Sequence, residues 1–108
     1  YNDFITGGFG TNRLDGGKGD DVISGSYGAD ILIGGEGNDT VSYATSFQSV
    51  DIDLNSSIAQ QGGDAQGDVL SGFENVIGSI LNDRLIGTDG VNNLIGGAGE
   101  DLLIGNGG

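Results

Sequence analysis

The chain has 108 residues, 24 of them glycine, and sixteen acids against three bases for a net charge of -13. That length allows one domain or part of one. The sign of the charge argues against nucleic acid and anionic membrane as partners, since both need clustered Lys or Arg. Arg13, Lys18 and Arg84 are the only bases and they are scattered, so cations are the natural counterpart. Cysteine, histidine and proline are absent and only seven residues are aromatic. A glycine-rich acidic chain of this kind stays near the disordered class unless something external stabilises it. Disulfides cannot do so here, which leaves a metal. No apolar run approaches the length of about 18 residues that a membrane span requires.

In chain order, Tyr1-Asn2-Asp3-Phe4-Ile5-Thr6 fits positions four to nine of a nine-residue unit. Four complete units follow without a gap from Gly7 to Ser42: GGFGTNRLD, GGKGDDVIS, GSYGADILI and GGEGNDTVS. Each opens on a glycine-rich turn, carries Asn12, Asp21, Asp30 or Asp39 at its sixth position, and closes on a β-prone triplet with an apolar middle residue. From Tyr43 to Ile77 the frame is lost. Ser49 to Leu54 alternates apolar and acidic residues, the mark of a half-buried strand. Asn55-Ser56-Ser57 is a plausible turn, and Ile58-Ala59-Gln60 its returning hairpin partner. Gly67 to Ser71 reads as the tail of a repeat with Asp68 at position six, and Gly72 to Ile77 as a shortened copy. Register resumes at Gly78 with GSILNDRLI, GTDGVNNLI and GGAGEDLLI, placing Asp83, Asn92 and Asp101 at position six. Gly34 and Gly78 are 44 residues apart, one short of a multiple of nine, so an altered turn in the middle must absorb a one-residue slip. We therefore divide the chain into a first array (1–42), an irregular strand and hairpin insert that continues the roll (43–77) and a second array (78–108). Both ends fall inside a repeat, as in a piece of a longer array. No 3.6-residue apolar period occurs, so essentially no helix is expected.

A Gly-Gly-x-Gly-x-Asp turn needs positive φ and close backbone approach, which glycine permits. It points several carbonyl oxygens at one place and adds a carboxylate. Such an all-oxygen set suits calcium, which tolerates loose geometry, better than magnesium, which demands a near-ideal octahedron. Zinc and copper would want histidine or cysteine. The triplets should form very short strands whose middle residues point inward: Ile5, Leu14, Ile23, Leu32, Val41, Leu85, Leu94 and Leu103. If two units make one coil, units 18 residues apart stack at about 4.8 Å. Asp3, Asp21 and Asp39 then line one edge and Asn12 and Asp30 the other. Asp83 pairs with Asp101, and Asn92 faces the truncated last turn.

GGKGDDVIS, GGEGNDTVS and GGAGEDLLI match the G-G-x-G-x-D-x-U-x pattern at every specified position, and the chain resembles the RTX (hemolysin-type calcium-binding) repeat family over about two thirds of its length. The resemblance implies an all-β fold, a right-handed parallel β-roll (a β-solenoid), with calcium between stacked turns on both edges. It also implies a secreted bacterial protein, exported by a type I system and folding on external calcium. Family pattern assigns as ligands the carbonyls of positions one to four with the carboxylate of position six. Here these are Gly16, Gly17, Lys18 and Gly19 with Asp21, and Gly34, Gly35, Glu36 and Gly37 with Asp39. Gly25 and Gly28 accompany Asp30, and Gly96, Gly97, Ala98 and Gly99 accompany Asp101. The departures are Asn12 and Asn92 at position six, Ser26 and Ser79 at position two and Leu81 at position four, so weaker or empty sites are expected beside Asn12, Asn92 and Leu81. About four to seven ions would bring the chain close to neutrality and couple binding to folding.

Other readings of the same residues are weaker. Asp51-Ile52-Asp53-Leu54-Asn55 begins like an EF-hand loop, but Ser56 and Gly62 stand where glycine and glutamate are required. Asp68 is expected to ligate a further calcium, and Asp64 to solvate a loop. Catalysis within the chain is not expected: there is no histidine, no serine elbow, and the acids are explained by a repeating role. Val22, Ile31, Ile33, Ile86, Ile95, Leu102 and Ile104 occupy outward positions, either through β propensity or as a face for a neighbouring domain or copy. The expected function is a calcium-binding structural module. The alternatives are a calcium-rigidified adhesin, surface-layer or matrix segment, and the non-catalytic repeat part of an extracellular hydrolase or toxin.

Overall fold

A computed structural model describes residues 2–55 and 59–106. Its regular structure is eleven three-residue strands: β1 (Phe4–Thr6), β2 (Arg13–Asp15), β3 (Val22–Ser24), β4 (Ile31–Ile33), β5 (Thr40–Ser42), β6 (Asp51–Asp53), β7 (Val69–Ser71), β8 (Asn75–Ile77), β9 (Arg84–Ile86), β10 (Asn93–Ile95) and β11 (Leu102–Ile104). One 3-10 turn, Gly63–Ala65, is the only helical element among the described residues. No helix there is long and apolar enough to cross a membrane.

Within the two arrays the strands are this short because each triplet adjoins glycine turns, and glycine opposes extension of the ladder. A three-residue strand cannot stand alone. Every strand pairing is parallel, in the orders β1-β3-β5-β8-β10, β2-β4-β7 and β6-β9-β11. Successive units therefore alternate between two walls, and the chain is a roll. Register is set by the inward residue: Ile5 lies opposite Ile23, Leu14 opposite Leu32, and Leu85 opposite Leu103. Ile23, Leu32, Val41, Ile52, Val76 and Leu85 are fully buried between the walls. Each contributes about 1.5–3 kcal/mol of hydrophobic stabilisation.

Two expectations are corrected here. Leu103 is 45% exposed. Its strand is the last row of its sheet, with β9 on one side only, so no second row covers it. Ile86, read as outward, is only 9% exposed. It belongs to the central strand of its sheet, and Asn55 and Asn106 both donate to the carbonyl of the next residue, Gly87 (2.8 Å each), closing the corner above it.

The insert explains the slip. Six residues normally separate two strands, yet only Gly72, Phe73 and Glu74 separate β7 from β8. Residues 43–68 carry the compensating excess, and the pairing of Thr40 with Asn75 skips 35 positions where regular pairs skip 18. Chain order is broken as well: β7 joins β4, whereas the earlier β6 joins β9. Between them runs the segment at Gln60 and Gln61. Gln61 forms an antiparallel bridge with Asp51, Gln60 N–H donates to the Asp68 carbonyl (2.7 Å) and Gly67 N–H to the Gln60 carbonyl (3.0 Å). The bridge to Asp51 thus lies at Gln61, one residue past the expected partner Ile58-Ala59-Gln60, and residues 56–58 of the expected turn and partner lie outside the described part. Tyr43, Val50, Ala65 and Phe73, all buried, fill the core beneath it.

Candidate metal centre

The position-six residues build two ladders, one along each edge of the roll. On the first edge Asp3 N–H donates to Asp21 Oδ1 (2.8 Å), Asp21 N–H to Asp39 Oδ1 (2.8 Å), and Asp39 N–H to Glu74 Oε2 (2.9 Å). On the second edge Asn12 N–H donates to Asp30 Oδ1, Asp30 N–H to Asp68 Oδ1, and Asp83 N–H to Asp101 Oδ1, each at 2.8 Å. One oxygen of each carboxylate is therefore spent tying its turn to the turn before it. Glu74 was not anticipated from the sequence. It fills the sixth place of the shortened turn, and its longer side chain spans what the missing residues would have covered. Its place directly before the triplet Asn75-Val76-Ile77 was the available signal.

The second oxygen is different. Oδ2 of Asp21, Asp30, Asp39 and Asp83 is buried without a hydrogen-bond partner. A buried carboxylate oxygen left in this way is costly unless a cation meets it. The first glycine of the turn makes room for it. A Cβ on Gly16, Gly25, Gly78 or Gly96 would lie 2.5, 2.4, 2.5 or 2.3 Å from the Oδ2 of Asp21, Asp30, Asp83 or Asp101. Glycine at position one is thus required by the carboxylate folded across it. At positions two and four it is required by conformation, with φ of +81° and +109° at Gly17 and Gly19, +99° and +132° at Gly35 and Gly37, and +76° and +96° at Gly97 and Gly99. Gly28 holds +120°, and Ser26 is forced to +65° in the same series.

Among the described residues no three carboxylates converge on one point. A cation on these edges must take most of its oxygens from turn carbonyls, and that donor set fits calcium. Lys18 and Glu36 bridge the stacked turns through their backbones. Glu36 N–H donates to the Gly17 carbonyl (2.8 Å) and Gly19 N–H to the Glu36 carbonyl (2.9 Å). Their side chains meet only in an exposed ion pair at 3.9 Å, worth little. Gly34, Ala98 and the remaining turn glycines stand at the equivalent places of their own turns.

Where the pattern degenerates, protein donors occupy the turn. Asn12 Nδ2 donates to the carbonyls of Gly8 (3.3 Å) and Gly10 (3.2 Å). Asn92 Nδ2 donates to the Glu74 carbonyl (2.6 Å) and to Thr88 Oγ1 (3.1 Å). Ser79 Oγ donates to Asp83 Oδ1 (2.7 Å), so that turn keeps an orphaned Oδ2 despite Leu81. Asp68 has its second oxygen filled by the buried Tyr43, whose hydroxyl donates at 2.8 Å. Val50 N–H donates to Asp83 Oδ1 (2.9 Å), so an apolar residue stands in the row before Asp83. The second-edge ladder is consequently split into Asn12–Asp30–Asp68 and Asp83–Asp101.

Burial raises the pKa of Asp30 and Asp39 and pushes Asp68 up to about 6, although the Asp30 N–H and the Tyr43 hydroxyl pull Asp68 down. Burial also raises the Tyr43 phenol well above its usual value, so it remains a donor. Because these carboxyl pKa values lie above those of the unfolded chain, the stability they contribute is complete below about pH 4 and is lost as pH rises through about 6. Without metal the chain is therefore expected to melt at higher temperature at pH 5 than at pH 7.5, and saturating calcium should remove most of that difference. Melting curves by circular dichroism in chelator and in calcium test this. A lower melting temperature at pH 5 in chelator would contradict it.

The model of the RTX calcium-binding nonapeptide repeat family, four copies of the unit, matches residues 1–23, 6–41 and 77–108, about two thirds of the chain. The chain belongs to this family. No match was found among the curated proteins. The RTX repeat is a calcium-binding structural unit, and the stretch outside the matched residues, 42–76, is the one that carries β6, β7, Tyr43 and Glu74. There the roll departs from the nine-residue rule.

Proposed function

We propose that this RTX chain is a calcium-folded module of a secreted protein, with ions seated between stacked turns on both edges. The observation that carries the reading is the set of four buried, unpartnered Oδ2 atoms, on Asp21, Asp30, Asp39 and Asp83. The Oδ1 ladder holds each of these carboxylates in place, and the position-one glycine leaves room for it to fold across the turn. Bound calcium would supply the missing positive partner for these oxygens and offset part of the charge of -13. In its absence the same atoms oppose closure of the roll, so affinity becomes folding energy. Extracellular calcium modules work at about 10⁻⁴ to 10⁻³ M, a range that leaves such a chain open in a calcium-poor cytosol and folded outside. Secretion accords with the habit of RTX proteins. Asn12 and Asn92 mark the weak turns, because their amides already engage the oxygens around them.

A far-ultraviolet circular dichroism titration tests the reading. The expected result is a cooperative change from coil to β in submillimolar to millimolar calcium, and none with magnesium. A β spectrum unchanged by chelator would overturn it.

A further inference from the structure

The third residue of each turn is exposed, and the two edges use it differently. On the first edge it is Lys18, Glu36 and Asp89; on the second it is Phe9, Tyr27, Ile80 and Ala98. Phe9 and Tyr27 stand one coil apart, in rows about 4.8 Å from each other. Phe47, from the insert, stands beside them. The three rings are 90%, 66% and 91% exposed, so they neither cover one another nor contribute to the core. Together with Ser26, Thr45 and Asp64 they line an open cavity of about 490 Å³. Tyr27, Phe47 and Asp64 also line an adjoining hollow of about 330 Å³ with Gln48 and Gln66. Concave, aromatic-lined sites with a few polar groups are the usual form of a small-ligand site.

We propose that this aromatic cleft binds the alkylammonium group of an organic cation. Aromatic rings carry negative quadrupoles on their faces, to which a weakly hydrated cation is attracted within about 6 Å. Asp64 is the one charged residue on the 490 Å³ lining, and its sign matches. A neutral sugar is served less well, since it needs several hydrogen-bonding groups and Ser26 Oγ already donates to the Gly7 carbonyl (3.2 Å). None of the three rings nor Asp64 is a position-six residue, but Phe9 and Tyr27 are the third residues of second-edge turns, so the cleft adjoins the calcium-binding edge.

The test is titration of the calcium-loaded chain with choline chloride, read by nuclear magnetic resonance of the aromatic ring protons. Its neutral isostere 3,3-dimethylbutan-1-ol and a neutral oligosaccharide run in parallel. Saturable shifts of Phe9, Tyr27 and Phe47 with a Kd on the order of millimolar are expected for choline, and binding at least about tenfold weaker for the alcohol. Phe47→Ala and Asp64→Asn should each weaken choline binding about fivefold or more while the calcium-induced circular dichroism change stays intact. Co-sedimentation with phosphatidylcholine vesicles, competed by free choline, would assign the cation to a lipid headgroup. Shifts with choline and no sedimentation would assign it to a soluble ligand. Equal binding of the neutral alcohol, tighter binding of the oligosaccharide, or no shift at all would overturn the proposal.

Discussion

Asp39→Asn is expected to make the metal-free chain more stable and the calcium response weaker. Asp39 is fully buried, its Oδ1 accepts the Asp21 N–H, and its Oδ2 has no partner. An asparagine keeps the first contact and removes the charge. Its Nδ2 can meet turn carbonyls as Asn12 Nδ2 already does. In chelator the variant should gain about 1–3 kcal/mol, the usual cost of an uncompensated buried polar group. In calcium it lacks a charged ligand, and its folding midpoint should move about tenfold or more to higher calcium. Asp39→Ala separates the two roles. It also strands the Asp21 N–H, so it should lose about 1–3 kcal/mol relative to Asp39→Asn at every calcium concentration. Urea unfolding at fixed calcium levels measures all three chains. An Asp39→Asn variant that is destabilised in chelator and normal in calcium would show that the carboxylate serves only as a hydrogen-bond acceptor.

Gly34→Ala should be far more damaging than Gly17→Ala, although a simple reading of turn glycines predicts the reverse. Gly17 has φ of +81°, but a Cβ there meets nothing within 4 Å. The change costs roughly the 1–2 kcal/mol of placing an L-residue in the left-handed region. Gly34 lacks the positive φ, yet its Cβ would lie 2.3 Å from the Gly72 carbonyl oxygen and 2.8 Å from Asp39 Cβ. Neither can step aside without moving a neighbouring turn or the carboxylate ladder. A cost of about 3 kcal/mol or more is expected, with reduced calcium cooperativity, because overpacking here displaces backbone rather than a flexible side chain. Urea midpoints in saturating calcium compare the two. Equal losses would mean that the turns give way more freely than their stacking implies.

Much of the roll is legible because its period is short and its code strict. Each triplet's middle residue, from Ile5 to Leu94, faces the core, and the expected partners 18 residues apart do pair. The edge assignment of Asp3, Asp21 and Asp39 against Asn12 and Asp30 follows from the same period, and the ladder hydrogen bonds run along those edges. Leu103 and Ile86 escaped it because their environments depend on whether a row lies beyond them and on what closes the corner above. Neither is a property of the repeat.

By itself the sequence determined the unit: glycine turn, position-six oxygen, apolar triplet, and an excess of acid that calls for cations. It could do so because each unit meets its neighbours in the same way, so local rule and global fold coincide. Tertiary structure alone decided the insert. That β6 joins β9 while β7 joins β4, that Glu74 replaces an aspartate, and that Tyr43 takes the second oxygen of Asp68 all depend on contacts between residues 25 to 38 positions apart. No nine-residue period reports such contacts. It also decided which carboxylate oxygens are left over. A repeat shows that an aspartate is present, but only packing shows that one of its oxygens is already bonded and the other is buried without a partner.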